Sequence, residues 1–319
     1  MKVITGLEKF PQEPNFVAVA LGNFDGVHRG HQILISQLVE NAHQEKGLGV
    51  VFTFNPHPLS VLGKKDKLLL LNTPEDKEKH ISKLGVDVFI PFPFNRNVAD
   101  MTPDAFVTEI LIKGLRAKTI FVGYNFTFGR KAMGDPKLLK SICQRYDCQV
   151  KVIPEVKHKN IHISSTNIRE FILNGNVAMA NLFLGYPYNL VGTVVPGNQL
   201  GRKLGFPTAN LKVTGGLVIP ENGVYAVKVQ VDQNLYPGVA NIGKRPTIGS
   251  DLPQSIEIHI FDQELNLYDK EIRVFFFERL RAEKKFSDVT ELTCQVNSDI
   301  SAAKLYLKNI NDLQVVDLA

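Results

Sequence analysis

His28 and His31 stand three residues apart, just after a glycine-bounded turn, Gly22-Asn23-Phe24-Asp25-Gly26, and theirs is the spacing that most directly suggests chemistry. Residues so spaced share one helical face. The five residues before the turn, Val17 to Leu21, form a continuous apolar run, the pattern of a strand buried on both faces. Gly22 and Gly26 accept backbone angles that larger residues resist and leave room for a ligand to approach. With His28, Gly30 and His31 at a helix start, unpaired N–H groups and the positive end of the helix dipole face the turn, which suits a phosphate. The alternatives are a capping histidine beside a surface one, or a zinc pair. The zinc reading lacks a third ligand, since Cys143, Cys148 and Cys294 are distant and no HExxH occurs.

Further stretches carry unusual residues. Asn55-Pro56-His57-Pro58 is a stiff loop that ends an apolar strand. In the loop from Gly123 to Arg130, Asn125 is accompanied by Phe126 and Phe128, which read either as a wall for a planar ring or as core residues of a strand extension. Ser164, Ser165 and Thr166 open a helix that carries Arg169 one turn in, a second phosphate-suited start; a capping box with Glu170 is the plainer alternative. From Gly197 to Asn210, three glycines with Arg202 and Lys203 suit a loop that folds over phosphates, although no Walker GxxxxGK[ST] is present. Thr208 and Asn210 share one face of an extended segment and can offer two neutral oxygens to a magnesium ion held mainly by phosphates, or simply belong to an alternating strand.

The elements that must position these residues follow from periodicity. The first half alternates strands at 17–21, 50–54, 86–90 and 119–122 with helices to about Gln44, at 75–84 and at 103–113, the last capped by Thr102 with Pro103 first. This alternation predicts a doubly wound parallel sheet, with ligands beyond its strand carboxyl ends. A helix over 165–183 is expected to stop at Gly185-Tyr186-Pro187, and a domain boundary is placed there. Strands at 189–195, 222–231, 235–242, 255–261 and 271–280, followed by a helix at 287–309, predict a small antiparallel barrel with a C-terminal helix.

Composition is that of an ordinary globular protein, with 44% hydrophobic and 22% charged residues over 319 positions, enough for two domains. A net charge of +5 fits small anionic substrates and argues against nucleic acid as partner. No apolar run long enough for a membrane span and no signal-peptide centre is read, and the odd, sparse cysteines suggest reduced thiols, so a cytoplasmic protein is expected. Oligomerisation is possible but not predicted.

Taken together, the motifs resemble those of bacterial bifunctional riboflavin kinase/FAD synthetases. Gly22 to His31 looks like the nucleotidyltransferase signature GxFDxxHxGH, Phe54 to Pro58 the FxPHP loop, Gly123 to Gly129 the GxxFxFG loop and Ser164 to Arg169 the SSTxIR element. The glycine-rich loop, Pro207-Thr208-Ala209-Asn210, Gly223 to Ala226, Asn241 to Thr247, Glu257-Ile258-His259 and Arg281 to Phe286 follow in the order of riboflavin kinase domains. Tyr124 stands where members often carry an acid, and Tyr186 where arginine is frequent. The resemblance implies a Rossmann-like nucleotidyltransferase domain over 1–184 and a riboflavin kinase domain over 185–319. It implies phosphorylation of riboflavin to FMN by ATP, then adenylylation of FMN to FAD with release of pyrophosphate, both with Mg2+. It further implies Glu257 as base in the kinase, and His28, His31 and Arg169 on ATP phosphates in the transferase. Nucleotide or flavin contacts are implied for Gly22, Asn23, Phe24, Asp25, Asn55, Pro56, His57, Asn125, Phe126, Phe128, Ser164, Ser165, Thr166, Gly201, Lys203, Gly205, Pro207 and Arg281, and metal contacts for Thr208 and Asn210. The rivals are a riboflavin kinase with a vestigial first half and a non-catalytic flavin carrier.

Overall fold

A computed structural model describes residues 1–11, 14–63, 69–197, 201, 204–243, 254–263 and 265–310. The chain divides into two compact units, 1–68 with 72–164, and 69–71 with 165–319.

The first unit is built on six strands, β1 (Lys2–Val3), β2 (Val17–Leu21), β3 (Leu48–Asn55), β4 (Val88–Pro93), β5 (Thr119–Gly123) and β6 (Gln149–Ile153), in the order β1-β4-β3-β2-β5-β6. All neighbours run parallel. Helices α1 (Arg29–Gln44), α2 (Pro74–Ser82), α3 (Pro103–Ala105, continuing as the π-helical Phe106–Gly114) and α4 (Pro136–Gln144) connect them. The expected double winding is visible in the side chains of β2. Val17, Val19 and Leu21 enter one core with Phe52, Phe106 and Ile120, whereas Ala18 and Ala20 enter the other with Ile35, Leu38 and Phe121. Period-two alternation of an all-apolar strand thus feeds two cores. The apolar residues on both sides anchor the carboxyl end of β2, from which the Gly22 turn departs.

In the second unit, α5 (Ser165–Leu173) and α6 (Val177–Leu184) are separate helices where one continuous helix was expected. The reason is local. Gly175 takes a left-handed φ of +75°, its N–H bonds to the carbonyl of Ile172, and Asn176 caps the next helix by accepting from the Met179 N–H at 3.2 Å. Six strands follow, β7 (Asn189–Val195), β8 (Ala209–Val213), β9 (Gly223–Val231), β10 (Asn234–Gly243), β11 (Ser255–Ile260) and β12 (Glu271–Arg281). They close an antiparallel barrel in the order β8-β11-β10-β9-β12-β7. The terminal helix α7 (Val289–Asn309) buries Ala303 and Leu307 against Val224, Val239, Phe275 and Phe277 of the barrel. The Asn181 side chain joins α6 to the same barrel, donating to the Phe276 carbonyl at 2.8 Å and accepting from the Tyr188 N–H at 2.7 Å.

Candidate active sites

The first site is the turn beyond β2. His28 caps α1, its Nδ1 accepting the His31 N–H at 3.3 Å, and the two imidazoles stack with centroids 3.6 Å apart and planes 15° from parallel. Gly30 leaves room for that stack, because a Cβ there would press on Cε1 of His28 at 3.2 Å. Burial lowers the His28 pKa from 6.5 to about 4, and lowers that of His31 as well, helped by His28 and Lys77. Both rings are neutral at neutral pH. With its Nδ1 accepting, neutral His28 carries its proton on Nε2, and Nδ1 of His31 is buried without a hydrogen-bond partner. An orphaned buried nitrogen beside a helix N-terminus is chemistry prepared for a ligand.

Of the other residues expected here, Asn23 is exposed and Asp25 buried, while Phe24 packs in the core and touches the His31 ring edge-on at 5.2 Å. Phe24 also explains Gly22, since its ring lies 3.0 Å from where a Cβ would be. Asn55 and Pro56 are exposed, and His57 caps the helical turn Pro58–Val61 by accepting from the Leu59 N–H. Asn125 is exposed; Phe126 stacks on Phe128 at 5.6 Å, and Phe128 is buried in the core beside Phe106. Ser164 belongs to the first unit, whereas Ser165, Thr166 and Arg169 belong to the second, where Arg169 Nε donates to the Leu69 carbonyl at 2.8 Å.

The second site is a cavity of about 310 Å³ in the barrel unit, lined among others by Thr208, Asn210, Glu257, His259, Arg281 and Asp299. Strand register gathers them. Glu257 of β11 lies opposite Asn210 of β8 on one side and Asn241 of β10 on the other, and directly opposed residues share a face of the sheet. Thr208 Oγ1 is 3.4 Å from Oε2 of Glu257, and Nδ1 of His259 donates to the Pro207 carbonyl at 2.9 Å, fixing the backbone just before Thr208. Gly201 closes a turn by accepting from the N–H groups of Leu204 and Phe206. A second cavity of about 580 Å³ is lined by Gly205, Pro207, Thr208 and Tyr268, so Thr208 borders both. Lys203 lies outside the described residues. Arg281 is held by buried Asp299, with Nε and Nη2 bonding its two oxygens at 2.8 to 3.0 Å, and the guanidinium sits 5.7 Å over the ring of Phe286. Among the described residues no group of three or more His, Cys, Asp or Glu could hold a metal ion.

Residues 10–167 match the model of FAD synthetases and residues 184–307 that of riboflavin kinases. A bifunctional riboflavin kinase/FMN adenylyltransferase from Buchnera aphidicola is 38% identical over 97% of this chain and 100% of its own. One from Bacillus subtilis is 38% identical over 92% and 93%. The chain belongs to the bacterial bifunctional riboflavin kinase/FMN adenylyltransferase family. A crystal structure described as a macrolide-efflux protein from Streptococcus pneumoniae shares 32% identity and a TM-score of 0.85, covering 95% of this chain and 98% of that one. That description concerns that protein; among the described residues here, no helix is long and apolar enough to cross a membrane.

The turn at 22–31 and the barrel cavity each gather residues from the motifs expected to carry chemistry. Three residues beside these candidate sites were not legible. Asn241 stood in a recognised motif without a role, Asp299 is an unremarkable acid in a helix, and Lys77 reaches the His28 turn from α2, its Nζ donating to the Asn23 carbonyl at 2.9 Å. Charge and i, i+3 spacing within α2 say nothing of that reach.

Proposed function

We propose that the antiparallel barrel phosphorylates riboflavin and that the stretch carrying the parallel sheet transfers the adenylyl group to FMN, dividing the family's two activities between 185–319 and 1–184 in a cytoplasmic protein. The observation that carries the kinase half is the placement of Glu257 between Asn210 and Asn241, beside Thr208, in one cavity. Riboflavin lies against the apolar wall made by Phe206, Val224, Val239 and Phe286 with its 5′-hydroxyl toward Glu257, which accepts the proton as oxygen attacks the γ-phosphorus of ATP. The ATP phosphates lie on the Thr208 side, under Gly201, Gly205 and Pro207, with the larger cavity for the rest of the nucleotide. Thr208 and Asn210 would hold Mg2+, which when bound neutralises charge on the phosphates. Arg281, oriented by Asp299, borders the flavin.

In the transferase half, the phosphate of FMN attacks the α-phosphorus of ATP and pyrophosphate leaves. That nucleophile is already anionic and needs no base, so positioning is what the protein supplies. His28 and His31 donate neutral hydrogen bonds to phosphate oxygens from the start of α1. Gly22, Asn23, Asp25, Asn55, Pro56, His57, Asn125, Ser164, Ser165, Thr166 and Arg169 keep the binding roles their motifs imply, and Phe24, Phe126 and Phe128 back the loops that carry them.

The decisive experiment is chromatography of riboflavin, ATP and magnesium incubated with the wild type and with His28→Ala/His31→Ala. The wild type should give FMN and then FAD. The double variant should accumulate FMN and form no FAD, and loss of both activities in a folded variant would refute separate sites.

A further inference from the structure

The phosphate site at the head of α1 is short of charge. Both imidazoles are neutral, because burial opposes their protonation. A triphosphate or a flavin monophosphate brings several negative charges, and neutral donors compensate them weakly. Lys77 brings a cation to the turn. Residues 72–77 grip it at two points: the Gly26 N–H donates to Asn72 Oδ1 at 3.2 Å in the buried interior, and Lys77 Nζ donates to the Asn23 carbonyl at 2.9 Å. That carbonyl also accepts from Thr53 Oγ1 at 3.2 Å. Thr73 caps α2 through the Asp76 N–H, with Pro74 at the first position, so the helix start that aims Lys77 back at the turn is fixed.

Lys77 is half-buried, and it acts electrostatically on His31. Burial lowers its own pKa while the carboxylate of Asp25 opposes the change and favours the ammonium. An ammonium has three donors, and the Asn23 carbonyl uses one. We propose that Lys77 is a phosphate-binding residue of the adenylyl-transfer site, supplying from α2 the positive charge that His28 and His31 do not. This rests on reading the turn at 22–31 as the phosphate site. Asn23 then serves as the anchor that holds the ammonium in place between turnovers.

The test measures FAD formation from FMN, varying ATP and FMN separately, in wild type, Lys77→Gln, Lys77→Met, Lys77→Arg and His28→Ala/His31→Ala, with FMN formation from riboflavin as the control for folding. Lys77→Gln keeps a donor for the Asn23 carbonyl and removes the charge. It should raise KM for a phosphate-bearing substrate by about 10- to 100-fold, as should Lys77→Met, with Lys77→Arg recovering most of the loss and riboflavin phosphorylation unchanged. A rise confined to ATP places Lys77 on the triphosphate, and one confined to FMN on the flavin phosphate. The wild-type KM should also climb more steeply with added potassium chloride than that of Lys77→Gln. Wild-type constants in Lys77→Gln with a defect only in Lys77→Met would overturn the proposal and leave Lys77 as a prop for the turn. If the double histidine variant still makes FAD, the phosphate-site reading itself fails; if that variant is dead while Lys77→Gln is normal, the lysine proposal alone falls.

Discussion

Glu257 is flanked by two side-chain amides across its neighbouring strands, Asn210 and Asn241, and faces the hydroxyl of Thr208. None of these neighbours can take its place as an acceptor of a proton from the flavin hydroxyl. Replacing it by Gln preserves shape and removes the proposed base, so kcat for FMN formation should fall by about 10² to 10⁴. FAD formation from supplied FMN should not change, which separate assays of the two steps would reveal. The same residue shows what a sequence can convey. That Glu257, Thr208 and Asn210 line one cavity was foreshadowed by their motifs, because extended-chain alternation puts Thr208 and Asn210 on one face and a short motif encodes it. Asn241 was not, because its place beside Glu257, 16 residues further along the chain, depends on the register of two separate strands. Phe24 illustrates the reverse: a residue inside a ligand-binding signature proves to be core, and its ring enforces Gly22.

At the scale of elements, α7 and β12 are linked by Asp299 and Arg281, whose side chains are 7% and 22% exposed. Removing one member of a buried, doubly bonded pair leaves an uncompensated charge and costs about 3 kcal/mol. Asp299→Ala should therefore lower the thermal midpoint and, by freeing Arg281 beside the cavity, raise KM for riboflavin more than for ATP; equal changes in both would argue against a flavin wall there. Elements dominated by their own periodicity were legible, including every barrel strand from β9 onward and the cap of α3. The missed ones have specific causes. β6 reads as alternating polar and apolar, Gln149-Val150-Lys151-Val152, since it borders the sheet, and the break between α5 and α6 hangs on one left-handed glycine inside an otherwise helical pattern. The segment 69–71 was invisible because it joins the second unit through long-range bonds, those of the Leu70 backbone with Gly216 and Val218 and that of Arg169 with the Leu69 carbonyl.

At the scale of the whole molecule, the two units should respond differently to acid. His28 has its pKa lowered to about 4 in the folded state, so between pH 6.5 and 4 the unfolded chain binds a proton that the folded chain refuses. Stability tied to that neutral ring is complete above pH 6.5 and lost as pH falls, amounting to roughly 3 kcal/mol by pH 4. In the second unit, hydrogen bonds from Lys284 and Ser287 hold Glu291 at about 2, and their contribution fades only as pH falls below 4.5 toward 2. FAD formation should consequently be inactivated at a higher pH than FMN formation in samples incubated in acid and assayed after return to neutrality, and circular dichroism melts from pH 7 to 4 should show the first unit softening first. The sheets differ in one further respect. The barrel is closed, so each of its six strands has a hydrogen-bonded neighbour on both sides, while the parallel sheet ends in β1 and β6. A chain opened by acid would therefore offer other molecules a strand to copy at β1 or β6 before it offered one from the barrel, and the positive charges of Lys2 and Lys151 on those strands oppose such pairing.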